Sequence, residues 1–105
     1  PLYSSAASDV YKRQGNQPAE NIVVTNPVPA NTVYVEGSAF GSGTDITFSV
    51  DGGKSYDKPD QLTVETADGQ TRIATTEDYT HVRWIFRFEL QPDESAPVWF
   101  RVRVK

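Results

Sequence analysis

Two segments near the end of the chain alternate apolar and polar residues with a period of two, and they restrict the fold more than any other feature. Across residues 80–90, Val82, Trp84, Phe86, Phe88 and Leu90 fall on one side; across residues 97–105, Val98, Phe100, Val102 and Val104 do the same. Residues two apart share a face of a strand, so both segments read as half-buried β-strands. The spacing predicts an antiparallel hairpin turning at residues 91–95. That register sets Phe88 opposite Val98, Phe86 opposite Phe100 and Trp84 opposite Val102, apolar pairs that stabilise a sheet. It also sets Arg87 opposite Trp99, Arg83 opposite Arg103 and His81 opposite Lys105. A slip of one residue would turn the apolar row outward, so the expected register is firm.

Shorter segments of the same kind precede these two. Residues 22–25 form a first strand, ended by Asn26-Pro27 and Pro29; residues 33–40 form a second; residues 44–50 form a third, with Ile46, Phe48 and Val50 on one face. Residues 62–66 and 71–74 flank Ala67-Asp68-Gly69, a turn signal for a hairpin. No stretch between turn signals has helical spacing, and the pattern as a whole predicts an all-β antiparallel sandwich. The formal net charge of −4 argues against non-specific binding to nucleic acid or to anionic membranes. Apolar runs are only a few residues long, so no membrane insertion by this segment is expected. Cysteine is absent, which excludes disulfides, thiol catalysis and Cys-based zinc sites.

The start of the chain has a different character. Ser4 to Gln14, SSAASDVYKRQ, resembles the translation of an adapter used in transposase-based sequencing libraries. The resemblance implies that residues 1–14 are a non-native, adapter-derived segment, expected to be disordered and set aside in reading the fold. Residues 15–105 are then the natural part, enough for one small domain.

The order AENIVVTNPVPANTVYVEGSA, ITFSVDGGKSY, DYTHVRW and a terminal FRVRV resembles the bacterial surface repeat family called domain of unknown function eleven. The likeness runs from about Asn16 to Val104. It implies an immunoglobulin-like β-sandwich, often in tandem on secreted, cell-wall or outer-membrane proteins, and hence an extracytoplasmic location. The family pattern begins earlier, with two strands ending near an Asn-Thr-Gly turn of which Gly15-Asn16 looks like the tail. The expected fold is therefore an incomplete sandwich whose first one or two strands are missing, with a sheet edge unpaired. Pro92-Asp93-Glu94 stands where the family usually has Pro-Gly, a departure confined to a loop.

Candidate sites are few. Ser49 to Tyr56, SVDGGKSY, fits an Asp-box with Tyr56 in place of Trp: Asp51 can accept turn amides while Gly52 and Gly53 permit positive φ. The expectation is a structural turn built on Ser49, Asp51, Gly52 and Gly53. Asp45, Asp51, Asp57 and Asp60 offer a weak calcium alternative, since carboxylates and loop carbonyls can supply the oxygens, but their spacing matches no fixed calcium loop. The one histidine, His81, has no companion nitrogen or sulfur ligands for zinc, and no Gly-x-Ser-x-Gly elbow supplies a nucleophile. No catalytic residue and no cofactor are expected, and the chain is not read as an enzyme.

One residue set invites a binding test. On the hairpin register above, Arg83, Arg87, Arg101, Arg103 and Lys105 lie with Trp99 and Ile85 on the outer face, a basic and aromatic patch on an acidic domain. Guanidinium groups and an exposed indole can grip anionic glycans. The leading expectation is a structural or interaction module, a spacer or adhesin-type repeat contacting neighbouring repeats or other surface proteins. A carbohydrate-binding module using the Trp99–arginine face is the alternative.

Overall fold

The computed structural model describes residues 3–12, for which it gives the backbone path, together with residues 20–92 and 94–105. Gly15-Asn16, residues 13–14 of the adapter-like segment and Asp93 lie outside the described residues. The strands are β1 (Tyr3–Lys12), β2 (Val23–Pro27), β3 (Thr32–Tyr34), β4 (Phe40–Gly41), β5 (Thr44–Ser49), β6 (Thr63–Glu65), β7 (Thr71–Ile73), β8 (His81–Phe86) and β9 (Ser95–Val104). Pro59–Gln61 and Thr76–Asp78 are 3-10 turns. The protein is all-β, with antiparallel sheets in a sandwich-like arrangement. No helix among the described residues is long and apolar enough to cross a membrane.

One sheet centres on β9, flanked by β1 on one side and by β3 and β4 on the other. The other has the order β2-β8-β5, and β6 and β7 form a separate two-stranded hairpin. Alternation decides which side of each central strand is buried. Val82, Trp84 and Phe86 of β8 are buried, as are Val98, Phe100 and Val102 of β9. The two rows meet between the sheets, with the Trp84 and Phe100 ring centroids 6.1 Å apart. Each such side chain, fully removed from water, contributes roughly 1.5–3 kcal/mol. Tyr34, Phe48 and Tyr79 extend the core at one end, the Phe48 and Tyr79 rings stacked 4.5 Å apart.

The expected hairpin between the last two strands does not form. β8 pairs with β2 and β5, so Trp84 stands opposite Val24 and Ile46, Arg83 opposite Thr25 and Thr47, and His81 opposite Pro27 and Ser49. β8 stops at Phe86, and the chain crosses to the other sheet before β9 begins at Ser95. Two alternating strands bury the same residues whether they sit side by side in one sheet or face to face in two. Alternation alone does not separate those cases, and here the two apolar rows pack against each other.

The segment expected to be one strand over residues 33–40 is divided. Gly37 has φ 78°, and the Tyr34 hydroxyl accepts a hydrogen bond from the Ala39 amide at 3.1 Å, folding the chain back between β3 and β4. The hairpin around Asp68 does form: Thr66 and Gln70 close it, Gly69 has φ 82°, and the Asp68 carboxylate accepts from the Thr66 hydroxyl and the Gln70 amide.

The first residues differ most from expectation. Tyr3–Lys12, read as disordered, is a strand running antiparallel along β9 from Tyr3 opposite Arg103 to Lys12 opposite Ser95, with an irregularity between Ser5 and Ala7. An open sheet edge offers a row of unpaired amides and carbonyls, and backbone pairing makes little demand on sequence. That suffices to order a segment of small and polar residues.

Candidate functional site

The Ser49–Tyr56 loop is a hydrogen-bonded corner following β5. The Ser49 hydroxyl is fully buried; it donates to Asp51 Oδ1 at 2.7 Å and accepts from the Gly53 amide at 2.9 Å. Asp51 Oδ1 also accepts the amides of Lys54 and Ser55, at 3.1 and 3.0 Å, and Oδ2 accepts the Ser55 hydroxyl at 2.6 Å. These bonds, led by those from the Ser49 and Ser55 hydroxyls, hold the Asp51 carboxyl well below the usual carboxylate range. Gly52 and Gly53 have φ 78° and 94°, and the Gly52 amide donates to Thr80 Oγ1, tying the corner to the segment entering β8.

The other acidic residues of that neighbourhood are dispersed. Asp45, on β5, makes a surface ion pair with Arg87 at 3.5 Å, an interaction of little net strength. The backbone of Asp57 bridges to Phe48, while its carboxylate accepts from the Lys58 amide; Asp60 sits in the Pro59–Gln61 turn. Among the described residues, no three His, Cys, Asp or Glu side chains are grouped to hold a metal ion. Asp51 is saturated by its own turn, Asp45 pairs with Arg87 and Asp57 accepts from Lys58, so the four residues of the calcium alternative, Asp45, Asp51, Asp57 and Asp60, are not brought together as one group. His81 Nδ1 lies 3.0 Å from Thr80 Oγ1, in the same hydrogen-bonded corner. Arg72 and Asp78 form a two-point ion pair, at 2.8 and 3.1 Å, across the entrance to the Thr76–Asp78 turn; Arg72 holds the Asp78 carboxyl below its ordinary value.

Placing β8 and β9 in different sheets divides the basic patch. Arg83 and Arg87 belong with the β2-β8-β5 sheet, whereas Trp99, Arg101 and Arg103 alternate with the buried residues of β9 and face outward from the other sheet. The two groups lie on opposite faces of the molecule. Arg83 and Arg87 also have partners: the Arg83 guanidinium sits 3.6 Å over the centroid of Tyr56, with Nε donating to Thr25 Oγ1, and Arg87 reaches Asp45 and the Thr44 carbonyl. Tyr56, standing where the Asp-box pattern has Trp, thus supports an arginine from below.

On the β9 face the structure adds a residue that sequence reasoning missed. Phe40 of β4 is directly opposite Trp99, and the rings stack 4.2 Å apart with 19° between their planes. Phe40 remains 41% exposed. Arg101, next outward along β9, lines the same shallow depression with Glu36 and Ser38. Its backbone is fixed, the amide donating to Ser38 Oγ at 3.0 Å and the carbonyl accepting from the Val35 amide at 3.0 Å. An apolar ring platform beside a guanidinium is suited to the flat face of a sugar with an anionic substituent. The one sequence signal for Phe40 was a large aromatic set among small residues, Ser38-Ala39-Phe40-Gly41, where nothing local calls for it.

A second concavity, of about 270 Å³, opens at the end of the core between Tyr34, Ile46, Phe48, Pro59 and Tyr79. Burial pushes both the Tyr34 and Tyr79 phenols above their ordinary pKa. The walls are mainly apolar and belong to the packing of the core end. No protein-family model, curated protein or solved structure matches the chain.

Proposed function

We propose that this domain is a non-catalytic spacer or adhesin-type interaction module of a bacterial surface or secreted protein, an immunoglobulin-like sandwich akin to domain of unknown function eleven. The observation that supports it most is where the polar side chains are used. Ser49, Asp51, Thr80 and His81 brace one corner, Arg72 and Asp78 another, and Asp68 a third. Chemistry-bearing groups engaged this way make rigid corners on a small domain and leave its sheet faces and edges for contact. An antibody against the domain is expected to label intact cells that produce it. Labelling only after permeabilisation would overturn the surface assignment.

The Phe40–Trp99 stack beside Arg101 favours a second reading, a carbohydrate-binding face. On an array of anionic glycans, Trp99→Ala and Arg101→Ala should each lose most of the signal. Arg83→Ala and Arg87→Ala should keep it, because they lie on the opposite face. Loss in all four variants, or silence of the unaltered domain across anionic glycans, removes this reading.

A further inference from the structure

The edge of β9 facing β1 has unused generality. Strand alternation sends the amide and carbonyl of successive residues to opposite sides. Arg101 directs both of its groups to the β3–β4 side, where Ser38 and Val35 take them, and the Lys105 amide donates to Asn31 on the same side. By alternation residues 95, 97, 99, 101 and 103 direct their groups to the β3–β4 side, while Ala96, Val98, Phe100 and Val102 present theirs to β1. Pro97 lacks an amide hydrogen, but its gap falls on the β3–β4 side. The β1 side is left with an unbroken row of donors and acceptors.

The strand seated there is a poor match in sequence. Ser4, Ala7 and Asp9 stand opposite Val102, Phe100 and Val98, all three buried, and Ser5 stands opposite Arg101. β1 packs extensively against β9, its one strand partner among the described residues. Pairing of the main chain is thus what holds it.

We propose that this edge of β9 is a strand-acceptor site, which binds an extended, proline-free polypeptide strand antiparallel to Ser95–Arg103 by β-augmentation. The chemistry of β9 specifies the preferred strand. Residues opposite Val98, Phe100 and Val102 should be apolar, and those opposite Arg101 and Arg103 acidic, giving an apolar–acidic alternation that β1 lacks. The site is independent of the surface-module reading and of the Phe40–Trp99 face. Failure of peptide binding removes the acceptor and leaves the cell-labelling outcome untouched.

The test uses the full chain carrying Ala7→Pro and Asp9→Pro, which removes the β1 amides paired with Phe100 and Val98. Two synthetic peptides are added: one with the sequence of residues 3–12, and one of the same length with valine opposite the three buried residues and glutamate opposite the arginines. Both should slow hydrogen exchange at the amides of Ala96, Val98, Phe100 and Val102, with Trp99, Arg101 and Arg103 unchanged. The second peptide should bind about tenfold tighter or better, from the summed gain of several cross-strand pairs. Absence of slowing with both peptides, or equal slowing along all of β9, overturns the proposal. If the double variant does not fold, the unaltered chain decides: an excess of the second peptide should speed exchange of the β1 amides while the β9 row stays protected. Unchanged β1 exchange then counts against the site.

Discussion

Asp51 shows how much of this fold rests on single hydrogen-bonding groups. Its carboxylate accepts from two hydroxyls and two amides, so it stabilises the corner only while ionised. The folded carboxyl is depressed, whereas the unfolded one titrates near an ordinary value of about 4. Its stabilisation is therefore complete above that range and is lost as the pH falls from there toward the folded value. Asp68 and Asp78 are shifted in the same direction and add to the effect. Thermal melts should show a midpoint that drops on acidification below about pH 4, where unfolded carboxylates take up protons. Asp51→Asn should lower the midpoint at neutral pH by several degrees and flatten this acid dependence. An unchanged slope in that variant would show that the carboxylate is not the titrating group.

At the scale of elements, two glycines separate backbone strain from steric contact. Gly37 turns the chain between β3 and β4 at φ 78°, and a Cβ there would meet no atom within 4 Å beyond its own chain neighbours. Gly37→Ala should cost about 1–2 kcal/mol, the penalty of a left-handed residue alone. Gly41 has room problems instead, since an added Cβ would lie 2.6 Å from Trp84 Cδ1 and 2.7 Å from Thr44 Oγ1. The buried indole cannot retreat, and Gly41→Ala should cost about 1–3 kcal/mol through overpacking. Denaturant unfolding of both variants checks the two figures. Strand existence was legible in sequence because period-two burial and Asp-Gly turn chemistry are local: β5, β6, β7 and β9 lie where the alternation puts them, while β8 takes only the first part of its segment, ending at Phe86 and leaving Phe88 exposed. Sheet membership was not legible. The apolar rows of Val82–Trp84–Phe86 and Val98–Phe100–Val102 fit a hairpin and a face-to-face pair equally well, and the choice depends on β2 and β5 competing for the edges of β8. The same non-local fact split the arginine patch and concealed the Phe40–Trp99 pair. The corner around Asp51 was readable because its donors lie within a few residues of it.

For the whole molecule, the decisive relation is between the two edges of β9 and everything else. β3 and β4 secure one edge with short strands, and among the described residues β1 is the strand that covers the other. Removing residues 1–14 uncovers the outward backbone groups of Ala96, Val98, Phe100 and Val102, and an exposed flat edge recruits further strands. The shortened chain is expected to self-associate with rising concentration in light scattering, under conditions where the full chain stays monomeric. A soluble monomer that unfolds cooperatively would contradict this.

Trp84 and Trp99 are the only two tryptophans, one fully enclosed between the sheets and the other stacked on Phe40 at the surface. The domain therefore carries two optical reporters with separate duties. Acrylamide should quench Trp99 and spare Trp84, so a Trp99→Phe variant emits from the interior alone and a Trp84→Phe variant from the face alone. A sugar arriving on Phe40 and Trp99 would dim or shift the second signal without touching the first. Loss of the sandwich would redden the first whatever is bound outside.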